Sequence, residues 1–198
     1  MRTQAGRVNQ KQRTRTAIVD ATRELIKGGA AVTMPAVARV ALVSEATAYR
    51  YFPDLPSLLR EAEVGAWPPP AEALAPVDHS ADPVERIGFA TRYLLAGVLA
   101  RQGAVRAMIA AAIVRPESAG VRPGHRFGLI DYALAPLAAT LGLRDPAALE
   151  QLKRELAIIV SAEALFVLTD LRALSPEEAI ASAVHAAQTI TAAAVAGG

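Results

Sequence analysis

Residues 43–52, with the sequence VSEATAYRYF, concentrate side chains that can bind nucleic acid. Hydroxyl and guanidinium groups hydrogen-bond to phosphates, and hydroxyl and carboxylate groups also reach base edges. The run predicts a short polar helix that begins at Ser44, because a serine side chain accepts from the free N–H groups of a first helical turn. An aromatic cluster at residues 49–52, which includes Arg50, ends this helix.

A second short helix is predicted just upstream, over residues 33–41 with the sequence TMPAVARVA. Thr33 can cap it, and Pro35 is tolerated in its first turn because the N–H groups there lack helical partners. Two short helices joined by a tight turn form a helix-turn-helix, predicted here over about residues 33–52. The second helix of such a motif enters the major groove of DNA.

The pattern resembles the N-terminal domain of TetR-family transcriptional regulators, whose motif runs valine-serine, a threonine, and then tyrosine-any-aromatic-phenylalanine. The similarity covers roughly Arg13 to Leu59. The resemblance implies that Thr47 faces the groove, that Tyr49 and Tyr51 are backbone-contacting aromatics with Tyr51 partly buried, and that Phe52 anchors a small core. Both tyrosines can instead be core aromatics. The DNA-binding residues that it implies are Thr33, Met34, Ser44, Glu45, Ala46, Thr47, Tyr49, Arg50, Tyr51 and Leu55.

Two positions depart from the family pattern. The turn residue, usually glycine, is Leu42 here. A leucine in left-handed geometry costs about 1–2 kcal/mol, so the turn is either strained or differently shaped. Leu55 stands where the family usually places lysine at the start of the next helix, which removes a phosphate-facing charge. Backbone N–H groups at that helix start, or Arg39, Arg50 and the N-terminal arginines, can compensate.

Glu45 allows two interpretations. A first-turn acid is stabilised by the positive end of the helix dipole, and a carboxylate in the major groove can accept from cytosine N4.

Charge is spread unevenly along the chain. The first 62 residues hold ten Lys or Arg and five Asp or Glu, whereas the remaining residues hold eleven and fourteen, for a total of +2. A basic small domain beside an acidic larger one is expected when only one end of a protein meets a polyanion. A solvated basic arm without a partner would show the same imbalance, and the helix-turn-helix favours the first interpretation.

Several classes of function lack support in the sequence. The chain has no cysteine, so it has no disulfide and no thiolate site. Its three histidines, His79, His125 and His185, lie far apart without metal-ligand spacing. No nucleophile elbow or phosphate-binding glycine loop is present. We therefore expect no enzyme, no metal and no cofactor.

The location expected from the sequence is the cytoplasm. The N-terminus is polar and arginine-rich without the apolar core of a secretory signal. No uninterrupted apolar run reaches the ~18 residues that a spanning helix needs.

The fold class expected is all-α with about nine helices and no strand. Hydrophobic periodicity and helix caps predict a three-helix DNA-binding domain with a helix-turn-helix, and a fourth helix that begins at Leu55, within residues 10–66. Residues 67–81, rich in proline, are predicted to be a linker, and residues 82–198 a larger helical ligand-binding and dimerisation domain.

Aromatic and sulfur side chains in the second domain are candidates for a ligand pocket between helices. The predicted lining is Phe89, Tyr93, Met108, Phe127 and Phe166, with Arg92, Asp131 and Glu163 as candidate polar groups. Several of the apolar residues can instead be ordinary core, and each of the polar residues can instead be a surface or ion-pair residue.

The function expected is that of a homodimeric, sequence-specific DNA-binding regulator. A repressor that a small, largely apolar effector releases from a palindromic operator is the leading hypothesis. The last two predicted helices carry small residues that allow close pairing across a two-fold axis: Ala157, Ser161, Ala164, Ala183, Ala186 and Ala187. The alternatives are a constitutive DNA-binding protein without a ligand, and a helical ligand-binding or enzymatic protein with a vestigial helix-turn-helix.

Overall fold

The computed structural model describes residues 4–114 and 124–197 of the chain. All regular elements in these residues are helical, so the all-α fold is confirmed. In chain order the α-helices are α1 (Gln4–Lys27), α2 (Met34–Val40), α3 (Glu45–Tyr51), α4 (Leu55–Glu63), α5 (Pro70–Ala73), α6 (Pro83–Ala100), α7 (Gln102–Val114), α8 (His125–Ala133), α9 (Ala135–Ala138), α10 (Leu141–Arg144), α11 (Pro146–Ile159), α12 (Ala162–Phe166) and α13 (Pro176–Gly197). A 3-10 turn at Ala75–Val77 follows α5, and a π-helical turn at Val167–Leu171 follows α12.

The described residues divide into two compact units. The first joins residues 4–67 to residues 100–114, and the second joins residues 68–99 to residues 124–197. The boundaries expected from the sequence assigned everything beyond residue 82 to the second domain. The structure instead places α7 in the first unit.

The first unit is built around one apolar core. Side chains from α1 to α4 meet there, with Ile18, Val37, Ala48, Phe52 and Leu58 almost fully buried. The helix-turn-helix therefore rests on α1 and α4, and the side of α3 that carries Ala48 faces this core.

Helix α7 completes the same core. Ala104 and Met108, one helical turn apart, are buried among the side chains of α1 and α4. Gly103 allows this close approach, because a Cβ atom there would lie only 2.2 Å from the main-chain oxygen of Ala30. Met108 was predicted to line a ligand pocket of the second domain, whereas the structure packs its side chain in the core of the first unit.

The predicted linker at residues 67–81 is folded from residue 68 onward as part of the second unit. Helix α5 and the 3-10 turn lie within it, and Leu74 and Val77 are buried. The buried guanidinium of Arg86 holds the segment in place, since it donates to the main-chain oxygens of Val77, Asp78 and Ser80 at 3.1–3.3 Å. The prolines that predicted a linker here stand at the starts of short helical turns.

The described residues hold more α-helices than the nine expected, because two of the predicted helices are broken and α5 lies in the predicted linker. The sequence predicts one helix over about residues 125–141, which the structure divides into α8, α9 and the start of α10, with Pro136 in the first turn of α9. It predicts another over about residues 145–171, which the structure interrupts where α11 ends at Ile159. Ser161 then caps α12 by accepting from the main-chain N–H of Ala164 at 3.1 Å.

Helix α13 packs along the second unit with one face buried, including Ala179, Ala183 and Ala187. By length and composition it could cross a membrane, with a mean hydropathy of 1.4 over an 18-residue window of which 33% is buried. Polar residues such as His185 and Gln188 interrupt this helix, so α13 is not an uninterrupted apolar run of ~18 residues. Core helices of globular proteins satisfy the same criterion.

Candidate nucleic-acid interface

Thr33 begins α2 as predicted. Its side chain is exposed and accepts from the main-chain N–H of Ala36 at 3.2 Å. Met34 follows at the first helical position, but its side chain is buried in the core of the first unit. Met34 was predicted to contact DNA, and it can do so only through its main-chain N–H at the helix start, which is available to a phosphate.

The turn between α2 and α3 adopts left-handed geometry at Leu42, with φ of 55°. This was one of the two outcomes that the sequence left open. The main-chain N–H groups of Leu42 and Val43 bond back to the oxygens of Arg39 and Ala38 at 3.3 and 2.9 Å. The Leu42 side chain itself is 92% exposed, so no packing offsets its backbone strain.

The first turn of α3 presents a polar face to solvent. Ser44 accepts from the main-chain N–H of Thr47 at 3.1 Å, and the two hydroxyl oxygens lie 2.9 Å apart. Ser44, Glu45 and Ala46 are exposed, and Thr47 is half-buried. The predicted cap is thus confirmed. Glu45 lies in the first turn, which is compatible with both the helix-dipole and the cytosine-acceptor interpretation.

The rest of α3 divides its side chains between solvent and core. Tyr49 is 49% exposed, and Arg50 is exposed with its guanidinium carbon 5.6 Å from the centroid of the Tyr51 ring. Tyr51 is half-buried and packs against the core, whereas Phe52 is 2% exposed. The helix therefore offers Glu45, Ala46, Thr47, Tyr49 and Arg50 on its accessible side.

Helix α4 begins next to α3. Asp54 caps it by accepting from the main-chain N–H of Ser57 at 2.8 Å. Leu55, a predicted DNA contact, is half-buried and its side chain packs against the core. As with Met34, only its main-chain N–H at the helix start can serve a phosphate.

Basic side chains of the first unit fall into two groups. Within the described part of the chain, no carboxylate lies within ion-pair distance of the exposed side chains of Lys11, Arg13, Arg39, Arg50 and Arg60. Arg15 and Arg23, in contrast, form ion pairs with Glu61 and Asp20. The first group can neutralise phosphates. No local pattern predicts the ion pair of Arg15, because its partner Glu61 lies 46 residues away.

The aromatic residues predicted to line a ligand pocket lie at different depths in the structure. Phe127 is half-exposed and borders a cavity of about 280 Å³, together with the predicted polar residue Asp131. Phe166 is buried, and Phe89 and Tyr93 are half-buried on α6. Arg92, another predicted polar contact, is exposed on the same helix.

A larger apolar groove of about 620 Å³ lies on α11, α12 and α13. Its walls include five of the residues predicted to pair the last helices of two copies, and Arg126 and Glu163, whose side chains approach to 3.6 Å, lie at the groove. Those five residues are Ala157, Ser161, Ala164, Ala183 and Ala186.

No group of three or more histidine, aspartate or glutamate side chains with metal-binding geometry exists among the residues that the structure describes.

Comparison with known proteins supports the assignment of the first unit. The family model for bacterial regulatory proteins of the tetR family matches residues 18–62, which run from α1 through α4. Neither the curated proteins nor the solved structures gave a match. The matched segment contains the capped α2, the turn at Leu42 and the exposed face of α3. The chain is a DNA-binding transcriptional regulator with a TetR-family helix-turn-helix domain in residues 18–62.

Proposed function

We propose that this regulator is a homodimeric repressor that a small, largely apolar molecule releases from a palindromic operator in the bacterial cytoplasm. The observation that carries the DNA-binding part is the accessible face of α3. It combines a hydroxyl, a carboxylate, a tyrosine and an arginine on a helix whose opposite side is fixed in the core.

In this proposal α3 enters the major groove with Thr47 near the bases. Thr33, Tyr49 and Arg50 contact phosphates on either side, and the N-terminal basic residues add charge. Two copies related by a two-fold axis then read half-sites about 34–36 Å apart, or a multiple of that spacing.

The dimer would form through the groove on α11, α12 and α13. Ile158 is 72% exposed and Val167 is 49% exposed beside the small residues of its walls. Exposed apolar side chains beside a groove of alanines are typical of a surface that another protein covers. A second copy would bury this surface in a four-helix arrangement.

The ligand response would act through the far end of α4. There the Arg101 side chain donates to the main-chain oxygen of Ala66 at 3.2 Å and lies 4.7 Å from the Trp67 ring. Glu63 accepts from the Trp67 indole N–H at 3.2 Å, and its carboxylate lies 4.0 Å from Arg101. Arg101 is also the single residue between α6 and α7. In this proposal, a ligand that displaces α6 therefore shifts the main chain at Arg101 and changes its contacts in this cluster.

Release from almost fully bound to almost fully free DNA needs a differential affinity of about 5.5 kcal/mol between the two states of the protein. An apolar molecule that fills a loose pocket in only one state can supply free energy of this order.

The proposal is tested by selecting operator duplexes from a random library and screening compounds by thermal shift. A compound that raises the melting temperature should lower operator affinity. Compounds that stabilise the protein while operator affinity stays constant would instead favour the alternative, a constitutive DNA-binding protein.

A further inference from the structure

Arg15, in the middle of α1, contacts two other helices of the first unit. Its Nε donates to Oε1 of Glu61 on α4 at 3.0 Å, and a second guanidinium nitrogen donates to the other carboxylate oxygen of Glu61. The third nitrogen donates to the main-chain oxygen of Tyr51, the last residue of α3, at 3.3 Å. The guanidinium carbon lies 4.4 Å from the centroid of the Phe52 ring.

One of these contacts satisfies a main-chain carbonyl group at the C-terminal end of α3. A helix leaves its last carbonyl groups without helical partners, and its C-terminal end carries partial negative charge. The N–H of Phe52 satisfies the oxygen of Ala48, one turn earlier. Arg15 satisfies the oxygen of Tyr51 and places a positive charge at this end of the helix dipole.

The shape of the guanidinium makes the contact directional. Two nitrogens that bind the two oxygens of Glu61 fix the plane of the group, so the third nitrogen can point only towards the end of α3. The guanidinium group also lies over the ring of Phe52, the residue that ends α3. A lysine offers neither the fork nor the plane.

We propose that Arg15 is a positioning residue for DNA recognition. It ties the C-terminal end of α3 to α1 and α4, and so sets the angle at which the accessible face of α3 meets the groove. This inference rests on the proposed entry of α3 into the major groove. Three of its five N–H donors bind Glu61 and Tyr51, and Glu61 neutralises its charge, so we expect Arg15 to contribute no counterion release of its own.

Salt dependence distinguishes this role from a phosphate contact. Each neutralised phosphate contributes about 0.9 to the slope of log affinity against log salt concentration. A residue that acts by orienting α3 changes affinity for the selected sequence without changing that slope. Because the ion pair is about one-third exposed, with side-chain exposures of 37% and 38%, its removal should alter recognition more than folding.

The experiment measures the affinity of the full chain for a selected operator and for a random 30-base-pair duplex over a range of salt concentrations. Arg15→Met should weaken operator binding by about tenfold, the equivalent of one lost base contact, with the slope unchanged and little loss on random DNA. Arg15→Lys should not restore the affinity, and Glu61→Gln should give an intermediate loss. Circular dichroism establishes that each variant is folded.

Arg23→Met is the matched control. Arg23 also lies on α1 and ties it to α4, through the main-chain oxygen of Ala62 at 3.1 Å, but none of its hydrogen bonds or ion pairs in the described structure reaches α3. Operator affinity should therefore persist in this variant.

A slope that falls by about 0.9 in Arg15→Met would show a direct phosphate contact and overturn the inference. Unchanged operator affinity in Arg15→Met and Glu61→Gln would overturn it while the groove-binding role of α3 stands. Should Arg15→Met fail to fold, Arg15→Lys and Glu61→Gln decide by the same criteria. A wild-type protein that binds no duplex would overturn both this inference and the proposed function.

Discussion

At the level of single residues, Leu42 shows the clearest backbone strain in the first unit. Its φ of 55° is adopted at little cost by glycine, and the 92% exposed side chain contributes no packing. Leu42→Gly should therefore raise the free energy of unfolding by about 0.5–1 kcal/mol, the relieved strain minus the greater entropy of glycine in the unfolded chain. Urea denaturation followed by circular dichroism measures this change.

Leu42→Ala is the control for that substitution, because it removes the side chain but keeps the Cβ atom. It should leave stability within about 0.5 kcal/mol of wild type. A glycine variant no more stable than the alanine variant would show that the turn is unstrained.

In the second unit, the buried side chain of Arg86 links several main-chain segments by hydrogen bonds. Its buried guanidinium donates to five main-chain oxygens, those of Val77, Asp78, Ser80, Tyr132 and Ala133. Arg86→Met leaves buried acceptors without donors and should lower the free energy of unfolding by about 2–4 kcal/mol. Arg92→Met, at an exposed position of the same helix, should change it by less than about 0.5 kcal/mol. Equal stability of the two variants in denaturant titrations would refute the role of Arg86 as a clamp.

At the scale of elements, the sequence predicted helix starts better than helix packing. The caps at Thr33 and Ser44 are recognisable because a hydroxyl precedes a helical run, and both are confirmed. The break before α12 depends on Ser161, whose capping role is masked by the apolar residues on either side. The place of α7 in the first unit depends on Gly103 meeting Ala30 across 73 positions of sequence, which no local pattern reveals.

For the candidate site, as for the helices, local features were predictable and tertiary contacts were not. The accessible face of α3 was predictable because local spacing decides which residues share a helix face. The burial of Met34 and Leu55, and the partners of Arg15, depend on tertiary packing and were not predicted.

The cluster at the end of α4 can be followed by fluorescence, because Trp67 is the only tryptophan in the chain. Arg101→Met removes the cation above the indole ring and one hydrogen bond to Ala66. We expect the emission maximum to move to longer wavelength as water reaches the ring, and the response of operator affinity to an effector to weaken. Arg92→Met should leave the emission unchanged. An Arg101→Met spectrum identical to wild type would show that the cluster does not hold Trp67.

At the scale of the whole molecule, the proposed dimer can be tested on the groove of α11, α12 and α13. Ala164→Arg places a long charged side chain among its apolar walls. Sedimentation at micromolar concentration should change from a dimer to a monomer, and operator affinity should fall because one copy holds only one half-site. Ala181→Arg, at an exposed position of α13 that does not line this groove, is the control and should remain dimeric. A wild-type monomer would contradict the proposed assembly.

The accessible face of α3 is the surface proposed to read DNA, and paired substitutions on it separate phosphate contacts from base contacts. Affinity for a selected operator and its salt dependence are measured for Arg50→Ala and Thr47→Ala. Arg50→Ala should weaken binding to every sequence and reduce the salt slope by about 0.9, whereas Thr47→Ala should keep the slope and change the preferred base in each half-site. Unchanged affinity, slope and base preference in both variants would show that α3 does not read DNA.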